Sequence, residues 1–264
     1  MPTVSIGDAD IYYEEKGQGP PLMLVPGLAG SGAFFISQVQ EFSRDFRTIV
    51  HDHRGAGRST HSRIAYSVEQ MADDTLRLMD VVGVDAAHFV GHSTGGAIGQ
   101  VIATERPERL KSLVLSATWA GPDPYFRRLF ESRKQTLLDS GVEAYLKASS
   151  LVQTTPRWVS DNDEFLTELH AVTVASSAPV EVMASRIDAI LRHDRRNRLL
   201  QIRVPTLVIV ARDDMITPPF YSEELASAIP GAKLVVLDGG GHFSPAIQST
   251  PYNAAVGAFL RALR

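Results

Sequence analysis

The six residues Gly91-His92-Ser93-Thr94-Gly95-Gly96 place a serine between glycines two positions before it and two after it. The apolar triplet 88–90 precedes them and the helix-compatible stretch 97–103 follows. A serine on so sharp a strand-to-helix turn needs those glycines, because a side chain at either position would collide with the neighbouring backbone. The turn would lift Ser93 Oγ above the end of a sheet. It would also set the Thr94 amide at a helix N-terminus, where an N–H group can stabilise negative charge. A glycine-rich turn with an incidental serine is the plainer alternative, and the strand before and the helix after weigh against it.

Such a turn requires a sheet, and the sequence contains the runs to build one. Short apolar runs at 22–25, 47–50, 88–90, 113–115, 207–210 and 234–237 alternate with amphipathic stretches. Continuous rather than alternating apolarity marks strands buried on both faces, so the fold class expected is α/β, a mostly parallel sheet with helices on both faces. Val68, Met71, Ala72, Thr75, Leu76, Met79 and Val82 share one helical face, with Ser67 and Gln70 spaced as a capping box and Gly83 as the stop. Pro251 suits the first position of a last helix whose inner stripe is Tyr252, Ala255, Val256, Phe259 and Leu260. Residues 4–6 and 11–14 flank Gly7-Asp8-Ala9-Asp10 and predict an antiparallel hairpin at the sheet edge. From Trp119 to Val204 no strand pattern is visible, only helical stretches bounded by Gly121-Pro122-Asp123-Pro124 and Pro205. The division expected is a core of residues 1–118 and 205–264 with a helical lid, 119–204, inserted into it.

Composition removes several chemistries. The 264 residues contain no cysteine, which excludes a disulfide framework, a thiolate zinc site and a cysteine nucleophile. With 26 basic against 30 acidic side chains the chain lacks the basic excess that phosphate neutralisation demands, so nucleic acid is not expected as a partner. No apolar run approaches the roughly 18 residues of a membrane span. Met1-Pro2-Thr3-Val4-Ser5-Ile6 has no basic start leading to an apolar segment, and a cytoplasmic location is the expectation.

Taken together, these features resemble the α/β-hydrolase family over nearly the whole chain. The family's order of catalytic residues is nucleophile, acid, histidine. Ser93 stands as nucleophile. Ala211-Arg212-Asp213-Asp214-Met215-Ile216-Thr217-Pro218 looks like the acid loop, and its register selects Asp214, leaving Asp213 as a solvated loop carboxylate. Asp238-Gly239-Gly240-Gly241-His242-Phe243 is similar to the terminal histidine loop, which makes His242 the general base. The loop Pro26-Gly27-Leu28-Ala29-Gly30-Ser31-Gly32 implies a second oxyanion donor, the Leu28 amide beside that of Thr94, although proline stands where family members often carry histidine. Asp52-His53-Arg54-Gly55-Ala56-Gly57-Arg58-Ser59 looks like the family's turn after the fourth strand, a structural element.

The resemblance implies a cofactor-independent serine hydrolase acting on a small molecule. Haloalkane dehalogenases and epoxide hydrolases of this fold use an aspartate nucleophile, so Ser93 argues against both. The stretch from Trp119 to Trp158 resembles the aminoacrylate (carbamate) hydrolase and 3-oxoadipate enol-lactonase type, which implies a small, acidic metabolite bearing an ester, lactone, amide or carbamate. Trp119, Tyr125, Phe126 and Trp158 are then candidates for the pocket wall, and Arg127 or Arg128 for a carboxylate clamp. A triad-bearing signalling receptor and a C–C bond hydrolase share these motifs and remain alternatives, and an oligomer is compatible with the sequence. His51 and His53 have a spacing some metal sites use, but no further ligand cluster accompanies them, and no metal is expected. His92 reads as support for the nucleophile; His61, His88, His170 and His193 read as structural or exposed.

Overall fold

Five of the six apolar runs fold as strands whose alternate residues enter two different cores; the sixth, 234–237, is an edge strand of the same sheet, where Leu234 and Val236 stay exposed. Leu22, Leu24, Val90, Val114, Leu207 and Ile209 pack on one face, whereas Met23, Val25, Phe89, Leu113, Leu115 and Val208 pack on the other. Burial on both sides explains why those five runs show no polar alternation. The computed structural model describes residues 3–263; Met1 and Pro2, which open the segment read above for a leader, and Arg264 lie outside them.

The strands are β1 (Thr3–Ser5), β2 (Asp10–Lys16), β3 (Pro21–Val25), β4 (Arg47–His51), β5 (Ala87–His92), β6 (Leu110–Ser116), β7 (Thr206–Ala211) and β8 (Lys233–Leu237). They lie in the order β1-β2-β4-β3-β5-β6-β7-β8. The β1–β2 hairpin and the β2–β4 pair are antiparallel, and every other pair is parallel. Val25 pairs with Gly91, Gly91 with Leu115, and Ser116 with Ile209, so the strands end in line. The loops that follow β3, β5 and β7 therefore leave from one carboxyl edge.

The helices are α1 (Ile36–Phe42), α2 (Val68–Val81), α3 (Thr94–Glu105), α4 (Pro124–Gln153), α5 (Pro156–Asp161), α6 (Asp163–Ala175), α7 (Val180–Arg192), α8 (Pro219–Ala228), α9 (Ser244–Ile247) and α10 (Ser249–Arg261). Ser67 caps α2 by accepting the Gln70 N–H at 3.0 Å, and Gly83 follows its end at φ 69°. The return half of the capping box is not made, because the Gln70 side chain turns instead to Asp74, which also receives Arg54. α10 starts two residues before Pro251 rather than at it. Proline is tolerated there because the first N–H groups of a helix have no intrahelical acceptor. Tyr252, Val256 and Leu260 enter the core as the stripe predicts.

Between β6 and β7 the chain forms α4 to α7 and, among the described residues, no strand. Asp123 caps α4 through the Phe126 N–H, and the helix is broken at Gly141, whose φ of 81° is outside helical space. Phe126, Phe130, Leu137 and Tyr145 of α4 and Val182, Ile187 and Ile190 of α7 join the same core as α2 and α3, so these two helices are packed into the body of the protein. Among the described residues no helix is long and apolar enough to cross a membrane.

Candidate active site

Ser93 sits between β5 and α3 with φ 54° and ψ −116°, one of two non-glycine residues at positive φ among those described. Such a conformation costs on the order of 1–3 kcal/mol and survives only where its surroundings hold it. Here Ser93 N–H donates to the Ser116 carbonyl at 2.8 Å, and the Ser93 carbonyl accepts from Thr118 Oγ1 at 2.8 Å and Gly96 N–H at 2.9 Å. A Cβ on Gly91 would lie 2.2 Å from the Gly95 carbonyl oxygen, and one on Gly95 would lie 2.0 Å from that of Val25. Both obstacles are backbone and cannot yield, so the glycines are dictated by the turn.

The loops after β7 and β8 bring Asp214 and His242 together. His242 Nδ1 lies 2.9 Å from Asp214 Oδ2, and both side chains are buried. An ionised carboxylate can only accept, so Nδ1 carries the proton and Nε2 is left free to take one. The remaining capacity of Asp214 is used by neighbours: Oδ1 accepts the Ile216 and Thr217 N–H groups at 2.8 and 2.9 Å, and Oδ2 accepts Thr217 Oγ1 at 2.9 Å. Three donors aim the carboxylate at the imidazole. The His242 ring lies against that of His92, centroids 4.8 Å apart, which places it beside the residue preceding Ser93. His92 in turn bonds Ser116 Oγ through Nδ1, and burial, followed by the nearby His242, holds it well below the ordinary imidazole range.

The loop after β3 packs directly on the serine. A Cβ on Gly27 would be 3.1 Å from Ser93 Cβ and 3.5 Å from Ser93 Oγ. The N–H groups of Leu28 and Thr94 have no acceptor among the described residues. An alkoxide or oxyanion formed at Ser93 would have two unengaged amides at hand, one of them at a helix N-terminus.

A model of the alpha/beta hydrolase fold family matches residues 20–246 of the chain. The chain belongs to that family. Among its relatives is a protein of Azorhizobium caulinodans named carbamate hydrolase RutD, 40% identical over 253 residues that cover 96% of each chain. A protein of the same name from Stutzerimonas stutzeri is 38% identical over 92% of this chain and 94% of its own. Among solved structures, the enol-lactonase from Burkholderia xenovorans LB400 superposes with a TM-score of 0.91 at 28% identity, covering 98% of this chain and all of the other. These likenesses make the protein an enzyme of the hydrolase class.

Elsewhere this hydrolase departs from the sequence reading. Asp213 is exposed, yet it is more than a solvated loop carboxylate: Oδ1 accepts Gly241 N–H at 2.8 Å and Oδ2 accepts Gly240 N–H at 3.3 Å. It anchors the backbone immediately before His242, a role hidden in sequence because the two loops lie 27 and 28 residues apart. Asp213→Ala is expected to lower kcat about tenfold with little change in KM, and Asp213→Asn, which keeps one acceptor, to lower it less. Steady-state rates of the alanine variant equal to wild type would return Asp213 to an ordinary surface position.

The pocket-wall candidates separate. Trp119 and Phe126 are fully buried and stack on each other, centroids 4.6 Å apart, as core rather than exposed lining. Tyr125 donates to the Met215 carbonyl, next to Asp214, and burial followed by the Asp214 charge pushes its phenol up. Trp158 is half-buried against Phe165. Arg127 and Arg128 are exposed, Arg127 reaching only the Leu191 carbonyl at 3.5 Å, so the structure brings neither to Ser93. The reason is periodicity. On α4 the inward face is Phe126, Phe130, Arg133 and Leu137, which leaves positions 127 and 128 turned outward.

The histidines outside the triad candidates are mostly core. His88 Nδ1 meets Ser112 Oγ at 2.8 Å, and His193 is buried edge-on to Trp119. His51 and His53 do share one side, 5.2 Å apart, and both are driven neutral chiefly by burial, His51 down to about 4. Among the described residues no group of three or more potential metal ligands is gathered. Thr217, which braces Asp214, lies within the acid-loop motif but is not singled out there, and Thr118, which braces Ser93, has no motif to mark it.

Proposed function

We propose that this protein is a serine hydrolase that cleaves an ester, lactone, amide or carbamate bond of a small metabolite through an acyl-enzyme. The observation that carries this reading is the buried His242–Asp214 pair beside the strained Ser93 turn. Ser93 Oγ attacks the carbonyl carbon as His242 Nε2 takes its proton. The Leu28 and Thr94 amides hold the oxyanion, and His242 returns the proton to the leaving group. Water then attacks the acyl-enzyme by the same route in reverse. Each step uses only protein groups and water. The names of the relatives, a carbamate hydrolase and an enol-lactonase, both describe cleavage at a carbonyl and support the substrate class.

Residues 119–204 act in this reading as a lid that walls the site and selects the substrate. Their helices reach three of the loops involved: Tyr125 holds the acid loop at Met215, the Gln153 carbonyl accepts Phe243 N–H at 3.0 Å, and Arg186 reaches the Leu28 carbonyl. The test is to assay purified protein against nitrophenyl esters of increasing chain length, small lactones and short carbamates, with Ser93→Ala as the blank and products identified. Turnover should be highest on the smallest acyl groups. Rates no higher than those of the blank on every substrate would overturn the reading.

A further inference from the structure

Arg186, on α7, is 2% exposed and makes no ion pair among the described residues. Burial lowers it to about 10 against the opposing pull of Tyr66 and Asp74, so it stays cationic at neutral pH although no carboxylate is hydrogen-bonded to it and the Tyr66 ring lies 5.7 Å from its guanidinium. A buried charge is costly unless its hydrogen bonds are satisfied, so its partners identify what it is there for. Nη1 donates to the Arg54 carbonyl. Nη2 donates to the Leu28 carbonyl at 2.9 Å and to Nδ1 of neutral His53 at 3.2 Å. All three acceptors are neutral, and one belongs to the loop that presents the Leu28 amide.

That loop is tied down through its carbonyls. Gly30 N–H donates to the Gly27 carbonyl at 2.9 Å, closing a turn, and His53 N–H donates to the Gly30 carbonyl at 2.8 Å. Asp52 Oδ1 accepts the Gly32 N–H at 2.9 Å, and Arg186 adds the hold on the Leu28 carbonyl. The peptide planes on both sides of Leu28 are thereby fixed by their oxygens. In a trans peptide the N–H points opposite to the carbonyl, so fixing the Gly27 oxygen inside the turn directs the Leu28 N–H out of it. Gly30, at φ 76°, leaves the room required: a Cβ there would stand 2.9 Å from Arg186 Nη2 and 2.5 Å from Ala56 Cβ.

We propose that Arg186 is a positioning residue for the oxyanion site: from the inserted helices its guanidinium grips the Leu28 carbonyl and holds the Leu28 amide in register with Ser93. The proposal rests on the reading of Leu28 as an oxyanion donor. It makes α7 and the catalytic loop a single mechanical unit, so displacement of the inserted helices would disarm the site without touching Ser93 or His242.

The experiment is a double-mutant cycle between Arg186→Met and Leu28→Pro, read with p-nitrophenyl acetate and a trifluoromethyl ketone whose hemiketal oxygen carries the negative charge. Proline deletes the Leu28 N–H at the second position of a turn, where proline is well accommodated. Arg186→Met should lower kcat by about tenfold to a hundredfold with KM nearly unchanged, and should weaken the ketone by the same factor as kcat/KM. Leu28→Pro should do the same, and the double variant should lose little more than the worse single one. A Leu28→Pro variant at wild-type rate would overturn the donor assignment and the proposal with it. An impaired Leu28→Pro combined with fully additive losses, or with an Arg186→Met that raises KM and spares kcat, would overturn the role of Arg186 alone. Should Arg186→Met fail to fold, Arg186→Lys, which keeps the charge and a donor, replaces it in the cycle. It is expected to give a smaller loss with the same non-additivity, and additivity there would equally overturn the proposal.

Discussion

Ser93→Ala and His242→Ala are each expected to lower kcat by up to about a million-fold, and the double variant is expected to lose no more than either alone. The non-additivity is the informative part. A serine hydroxyl is a poor nucleophile until an imidazole takes its proton, and the imidazole has nothing to activate once the hydroxyl is gone, so the two act as one device. The geometry supports this pairing from both sides: the turn places Ser93 with its carbonyl and amide braced by Thr118 and Ser116, and the His242 ring lies on that of His92, one residue away from Ser93. The measurement is single-turnover release of nitrophenol from the acetate ester by each variant, with melting temperature as the control for folding. Near-normal rates in Ser93→Ala would move the chemistry to another residue.

Asp214→Asn should cost on the order of ten-thousandfold in kcat while leaving the fold intact. The amide that replaces the carboxylate has only one acceptor oxygen, and the surroundings decide where it goes. Two backbone donors, Ile216 and Thr217 N–H, face the Oδ1 position, so the asparagine oxygen belongs there. Its NH2 group then occupies the Oδ2 position, 2.9 Å from His242 Nδ1. A donor in that place forces Nδ1 to accept and puts the ring proton on Nε2, where the base must be unprotonated. The check is kcat for Asp214→Asn beside Asp213→Asn at one pH. A larger loss in the Asp213 variant would transfer the acid role to the neighbour.

Arg127 and Arg128 are exposed and lend the acidic-substrate expectation no support, so the substrate class proposed above is defined by the scissile carbonyl alone. Among the described residues, the three buried arginines of the inserted segment are all engaged by protein, Arg195 through ion pairs with Glu69 and Glu105. Arg133 meets Ser149 Oγ and Tyr145 Oη at 3.0 to 3.2 Å, and Arg186 meets backbone and His53.

What could be read without coordinates was local or carried by chain order. The interior parallel strands announced themselves because burial on both faces leaves an unbroken apolar run, although the run of β8 reads the same while Leu234 and Val236 stay exposed at the sheet edge; the Ser93 turn announced itself because only glycine tolerates a carbonyl at about 2 Å from where a Cβ would stand. Asp214 and His242 were reachable through the loop motifs that follow their strands. Tertiary structure decided everything that depends on which side chain crosses from one loop to another. Asp213 looks like any loop aspartate until the glycines before His242 arrive at its carboxylate, and the Gln70 side chain leaves its capping role only because Asp74 stands in reach. Trp119 and Phe126 read as candidates for the pocket wall, and their packing against each other, Phe130 and His193 buries them in the core. Arg186 had no motif at all. Its meaning lies in hydrogen bonds to residues 132, 133 and 158 positions away in the chain, a separation over which periodicity and propensity carry no information and only the assembled fold does.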